Sequence, residues 1–200
     1  MSLWKRNFFL NNNHMFAFYI LTFGIFLALL EIEIEGEHGW AKHLPTWRKN
    51  RTSSLWFFRS ITGYHTILFL MILFLNHIVY IGFFWWTDFT DEMMILAFHL
   101  VLIIYWDFLW FVMNPHFTYK KFKQEHIPWY TDSEWIAGFP IDYWYALGLA
   151  GTLVWFRFLI DGAHTIIDQF LMTGLVWGLI WIGLIFVSPL YHKWYHFMRR

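Results

Sequence analysis

Residues 93–113 read MMILAFHLVLIIYWDFLWFVM, an apolar run interrupted only by His99 and Asp107. At ~1.5 Å of rise per residue this run forms a helix about 30 Å long, the thickness of a bilayer's hydrocarbon core. Strands do not explain a run of that length. Further apolar segments at 15–34, 64–86, 143–160 and 166–188 repeat the pattern, with polar loops between them. The expected fold is all-α: an integral membrane protein of one domain over residues 1–200, a bundle of about five transmembrane helices with two long loops. The first segment is the weakest, because Met15–Leu30 runs into Glu31; a helix lying in the interface is the alternative there.

Composition agrees: with 58% hydrophobic, 24% aromatic and 14% charged residues, too little polar surface remains to clothe a soluble domain. The net charge is zero, so membrane lipids are the expected partners and nucleic acid is not. The chain has no cysteine, which excludes disulfides, thiolate nucleophiles, iron–sulfur clusters and covalently attached haem. No small-residue cleavage site follows the first apolar run, so the first helix is expected to stay in the mature chain.

If all five segments span, eleven of the fourteen Lys and Arg residues fall on one side, in loops 41–60 and 114–142 and at the C-terminus. By the positive-inside bias that side is cytoplasmic, and the N-terminus lies outside. The opposite connections, Thr87–Glu92 and Asp161–Thr165, are short enough for antiparallel hairpins. Pro115 and Pro189 each follow an apolar run and are expected to end a helix. Gly174, Gly178 and Gly183 in helix five, like Ala146, Gly148, Ala150 and Gly151 in helix four, predict close packing inside the bundle, with a homo-oligomer seam on helix five as the alternative. Trp85, Trp86, Trp129, Trp135, Trp144 and Trp194 lie near helix ends and are expected to anchor the headgroup layer.

Sorted by depth, the polar side chains collect at the cytoplasmic ends. Seven of the eleven histidines share that side with Glu31, Glu33, Glu35 and Glu37. Imidazole and carboxylate together suit a divalent transition metal, for which Glu31, His38 and His116 are the candidate ligands. Asp107 stands about 9 Å inside helix three, where an ionised group is costly without a partner. Asp107, His65, Asn114 and Glu35 are therefore the candidate catalytic residues. Arg48, His126 and Trp110 are the candidate substrate contacts, Arg48 holding an anionic headgroup. The segment from Glu35 to Trp40, rich in glycine and titratable groups, reads as an ordered lid. Asp107 is expected to face His65, Arg48 or a loop imidazole.

His77 and His99 sit at similar depth toward the outer side and supply a second candidate, axial ligation of a b-type haem. The bulk of Phe69, Phe74, Phe83, Phe98 and Leu102 weighs against it. Arg157 and Asp161 are spaced for a structural ion pair. HExxH, Gly-x-Ser-x-Gly, Walker and CxxC patterns are missing, as are the histidine boxes of membrane di-iron enzymes. The leading expectation is an enzyme acting on a lipid or amphiphile at the cytoplasmic leaflet, with or without a metal. The alternatives are a haem-bearing anchor or electron carrier and a non-catalytic subunit or scaffold. Reporter fusions at the two termini check the topology: opposite sides are expected, and both on one side would leave the first segment in the interface.

Overall fold

The computed structural model describes residues 3–49, 61–84, 89–131, 133–162 and 164–200, with backbone alone at 3–15, 17, 83–84, 164–166 and 168–169. Five helices carry the fold: α1 (Leu3–Glu35), α2 (Gly63–Phe84), α3 (Phe89–Met113), α4 (Ile141–Asp161) and α5 (His164–Met198). Two very short antiparallel hairpins close the long loops. β1 (Arg48–Lys49) pairs with β2 (Ile61–Thr62), and β3 (Trp135–Ile136) with β4 (Phe139–Pro140). Single turns of 3-10 helix at Tyr119–Lys121, Gln124–His126 and Pro128–Tyr130 shape the second loop.

Among the described residues, four helical stretches are long and apolar enough to cross a membrane: Gly63–Gly82, Phe89–Met113, Ile141–Asp161 and Phe170–Met198. They are not equivalent. In α3 78% of the apolar stretch is buried, against 22% in α2 and α4 and 6% in α5, so α3 is the central post. Its residues are apolar all round, the pattern of a helix enclosed by others. Leu102, Tyr105, Phe108, Leu109, Phe111 and Val112 are almost wholly shielded. The surrounding helices turn Phe18, Phe26, Leu70, Phe74, Leu179 and Phe186 outward, a density of exposed apolar side chains foreign to a water-soluble surface.

Close packing centres on α1 and α3. A Cβ at Gly24 would stand 2.5 Å from the Tyr105 ring, so only glycine permits this approach. Trp177 and Trp181 of α5 cover the same tyrosine, with ring centroids 5.5 and 5.8 Å away. At the far end of the bundle Arg157 joins three helices. It lies 3.1 Å from both Asp161 and Asp91 and donates to the Tyr80 hydroxyl at 3.2 Å.

Three sequence expectations change. Both α1 and α5 overrun their apolar cores. The helix passes through Pro189 because Ser188 Oγ donates to the Ile185 carbonyl at 3.0 Å, the acceptor that Pro189, lacking an N–H, leaves free. The glycines of α4 and α5 are not internal packing points either: added Cβ atoms at Gly148, Gly151, Gly174, Gly178 and Gly183 meet nothing within 4 Å. Of the small residues expected to pack inward on α4, Ala146 and Ala150 do so, joined by Tyr143 and Val154.

The contrast between glycines is testable by thermal melting in detergent. Gly24→Leu is expected to cost about 2 kcal/mol or more through overpacking against Tyr105. Gly178→Leu is expected to leave the melting temperature nearly unchanged.

Candidate functional site

The C-terminal ends of α1 and α3 meet the N-terminal ends of α2 and α4, and the two long loops fold over them. A cavity of about 230 Å³ lies at this junction. Its lining combines Glu31, Glu35, His65, Asp107 and Asp142 with Trp40, Phe69, Trp106, Trp110, Trp129, Tyr130 and Tyr143.

Each charged group is aimed by its local sequence. Glu31 and Glu35 are four residues apart, one helical turn, and so face the same way. Glu33 points elsewhere, to Arg199 at 2.5 Å. Thr62 caps α2: its hydroxyl accepts from the His65 N–H at 3.2 Å and also bonds His65 Nδ1 at 2.7 Å. The ring is thereby fixed with Nε2 directed at α1, 3.6 Å from Glu31 Oε1 and 3.5 Å from Glu35 Oε1. Trp40 stacks on the imidazole at a centroid distance of 4.3 Å.

Trp40 reaches that position through a strained turn. Trp40 and Ala41 have φ of 48° and 52°, a region disfavoured for residues with a Cβ. Two side chains hold the turn in place. Glu35 accepts from the Ala41 N–H, and Arg48 donates to the carbonyls of Trp40 and Ala41. At Gly39 (φ 57°) a Cβ would lie 2.3 Å from Trp129, so the close passage of the loop under that indole requires glycine.

Asp107 is held by two phenols, not by a cation. Tyr130 donates to Oδ2 at 3.1 Å, and Tyr143 donates to the same oxygen. The tyrosines replace the expected His65, Arg48 or loop imidazole, and they are the residues that sequence reasoning missed. The depth at which Tyr143 enters α4 was the available signal. Trp129, expected as a membrane anchor, lines the cavity instead. Among the described residues the indole N–H groups of Trp40, Trp110 and Trp129 are buried without a hydrogen-bond partner, while the Trp106 indole is committed to the neighbouring Glu31 carboxylate.

Thus Glu35, His65, Asp107, Trp110 and Glu31, nominated by sequence for three different roles, share one cavity. The other nominated residues lie apart from it. Asn114 is a brace: its amide donates to the Gly36 carbonyl at 2.8 Å and its oxygen accepts the His116 N–H at 3.0 Å. Arg48 is committed to the Trp40–Ala41 turn, and His126 is exposed on its own 3-10 turn. His38 and His116 gather around Glu37 near the surface, at 3.4 and 3.8 Å.

The candidate haem ligands have partners within the bundle. Both ring nitrogens of His77 are engaged, Nδ1 by the Leu73 carbonyl at 2.7 Å and Nε2 by Glu92 at 3.0 Å. His99 Nδ1 lies 3.3 Å from the Asn76 amide.

The cavity concentrates negative potential. Among the described residues no Lys or Arg forms an ion pair with Glu31, Glu35 or Asp107. Burial, reinforced by the neighbouring Glu31 carboxyl, pushes the Glu35 carboxyl up to about 7, while His65 and the Ala41 N–H oppose the shift. An aromatic-walled space with acids at one end suits a cation, a proton or the polar end of an amphiphile. Compared with known proteins, the chain matches no family model, no curated protein and no solved structure.

The Glu35 shift carries a sign. A carboxyl raised from 4.5 to about 7 holds its proton more tightly folded than unfolded, so its contribution to stability is complete below 4.5 and is lost as pH rises through 7. In chelator-containing buffer the melting temperature is therefore expected to fall between pH 5 and about 7.5. Glu35→Gln, which keeps the acceptor for Ala41, is expected to flatten that slope; an unchanged slope would remove Glu35 as its source.

Proposed function

We propose that the protein is an integral membrane enzyme that acts on the polar end of a lipid or similar amphiphile, using the acid-lined cavity as its active site. The long loops and the C-terminus are assigned to the cytoplasmic side. Support for the membrane setting comes from four long apolar helices, their outward apolar faces and the one-sided Lys/Arg distribution. The observation that carries the catalytic reading is the convergence of four carboxyl groups and an oriented imidazole from α1, α2, α3 and α4 on one aromatic cavity.

In this reading Asp107 moves a proton at the reacting atom. Tyr130 and Tyr143 set the direction of its carboxylate and stabilise its charge through two O–H donors. The aromatic walls hold the adjoining chain of the substrate and exclude water, which strengthens every charge interaction inside. The unpartnered indole N–H groups supply donors to oxygen atoms on a headgroup. The scaffold alternative leaves the gathering of these acids around one oriented imidazole without a role.

The test compares extracted lipids from cells producing the wild type, Asp107→Asn or neither. A modified amphiphile is expected with the wild type alone, while Asp107→Asn melts close to the wild type because Asn keeps the shape and both phenol contacts. Identical extracts in all three cases would overturn the enzyme reading. Tyr143→Phe is expected to lower turnover about 10-fold or more without abolishing it, since Tyr130 remains.

A further inference from the structure

We infer that Glu31, Glu35 and His65 form a binding site for one divalent first-row transition ion, a reading that deepens the proposed active site and rests on the same cavity. One ligand atom from each residue lies within 4.8 Å of the other two. The Nε2-to-oxygen separations of 3.6 and 3.5 Å are long for hydrogen bonds, whose N–H···O distance is about 2.9 Å. They match the edge of a tetrahedron around an ion with bonds of ~2.1 Å, which is about 3.4 Å.

Orientation agrees with this: in the tautomer that places the proton on Nδ1, His65 donates to Thr62 Oγ1 and Nε2 presents its lone pair to the space between the two carboxylates. Metal-bound histidines are fixed through their other nitrogen in just this way. Glu35 is likewise steadied by its bond to the Ala41 N–H.

Glu31 and Glu35 side chains are only 9% and 3% exposed, yet among the described residues no Lys or Arg pairs with them, and the Arg48 guanidinium is turned to backbone carbonyls. A divalent ion supplies positive charge there. Trp110, 3% exposed, lines the same cavity with an N–H group that has no partner among the described residues, a donor for a further oxygen ligand on the ion. Asp107 stands outside the ligand set, its oxygen occupied by two phenols, and is left free to move protons. The surface group of Glu37, His38 and His116 is the competing site: it is more exposed, and it holds His38 and His116, two of the three ligands nominated from the sequence.

The test is a Co²⁺ titration of purified, chelator-treated protein in detergent, followed by visible ligand-field absorption. One Co²⁺ per chain is expected, displaced by Zn²⁺. Glu31→Gln and His65→Gln are each expected to weaken binding about 100-fold or more, and Thr62→Ala about 10-fold through loss of ring orientation. Glu37→Gln is expected to bind as the wild type does. Melting curves without metal identify any variant that fails to fold, and Thr62→Ala then carries the test, because it leaves every ligand in place. No stoichiometric binding, or binding lost with Glu37→Gln and kept with Glu31→Gln, would overturn the inference. If Co²⁺ does not bind but Asp107→Asn still abolishes lipid turnover, the metal falls and the enzyme stands; the reverse result removes the enzyme and leaves the metal.

Discussion

The carboxyl groups of Glu31, Glu35 and Asp107, with Asp142 in the same lining, cannot share a buried apolar cavity with one imidazole unless something offsets their mutual repulsion and lost hydration, and the ends of four helices are arranged around that requirement. The offsets differ for each acid. Asp107 is stabilised by two phenols, Glu35 by a backbone N–H and His65, and Glu31 by His65 with the Trp106 indole nearby. Each partner comes from a different segment, so the site forms only when α1, α2, α3, α4 and both long loops are in place together. That interdependence explains why so much of the loop structure consists of side chains holding backbone: Arg48 on Trp40 and Ala41, Asn114 on Gly36, Gln124 on the carbonyls of Thr131 and Ser133.

The helix packing serves the same end. Because α3 is enclosed while α2, α4 and α5 turn apolar faces outward, Asp107 is carried to the centre of the bundle on the one helix that the others cover. Gly24 lets α1 close onto Tyr105, which sets the distance at which Glu31 and Glu35, seven and eleven residues further on, approach α3. The Arg157 network at the other end pins α3 and α4 to α2 without touching the cavity, so the two polar centres are separate in place.

Much of this was legible in the chain. A long apolar run needs a helix, and an aspartate inside it needs a partner, so α3 and Asp107 followed from burial cost alone. The convergence of Glu35 and His65 followed from topology, since consecutive antiparallel helices return to the same end. The pairing of Glu31 with Glu35 was hidden by the alternating Glu31-x-Glu33-x-Glu35 pattern, whose period of two obscures the one-turn relation between the outer pair. Trp40 and Trp129 were unreadable for another reason: they depend on positive φ at Trp40 and Ala41 and on the contact of Trp129 with Gly39, across loops far apart in sequence. Pro189 misled because the remedy, Ser188 bonding to Ile185, lies in the residue before it.

The central claim is that Glu31, Glu35 and Asp107 occupy an apolar cavity shielded from bulk water. Carbodiimide labelling read by peptide mass spectrometry tests it most directly, using an apolar reagent and a water-soluble one on chelator-treated protein. Labelling of one or more of these three residues by the apolar reagent alone is the predicted result, with the exposed Glu33, Glu37 and Glu125 open to the water-soluble one. Labelling of all six residues by the water-soluble reagent, or none of the three by the apolar one, would contradict the account.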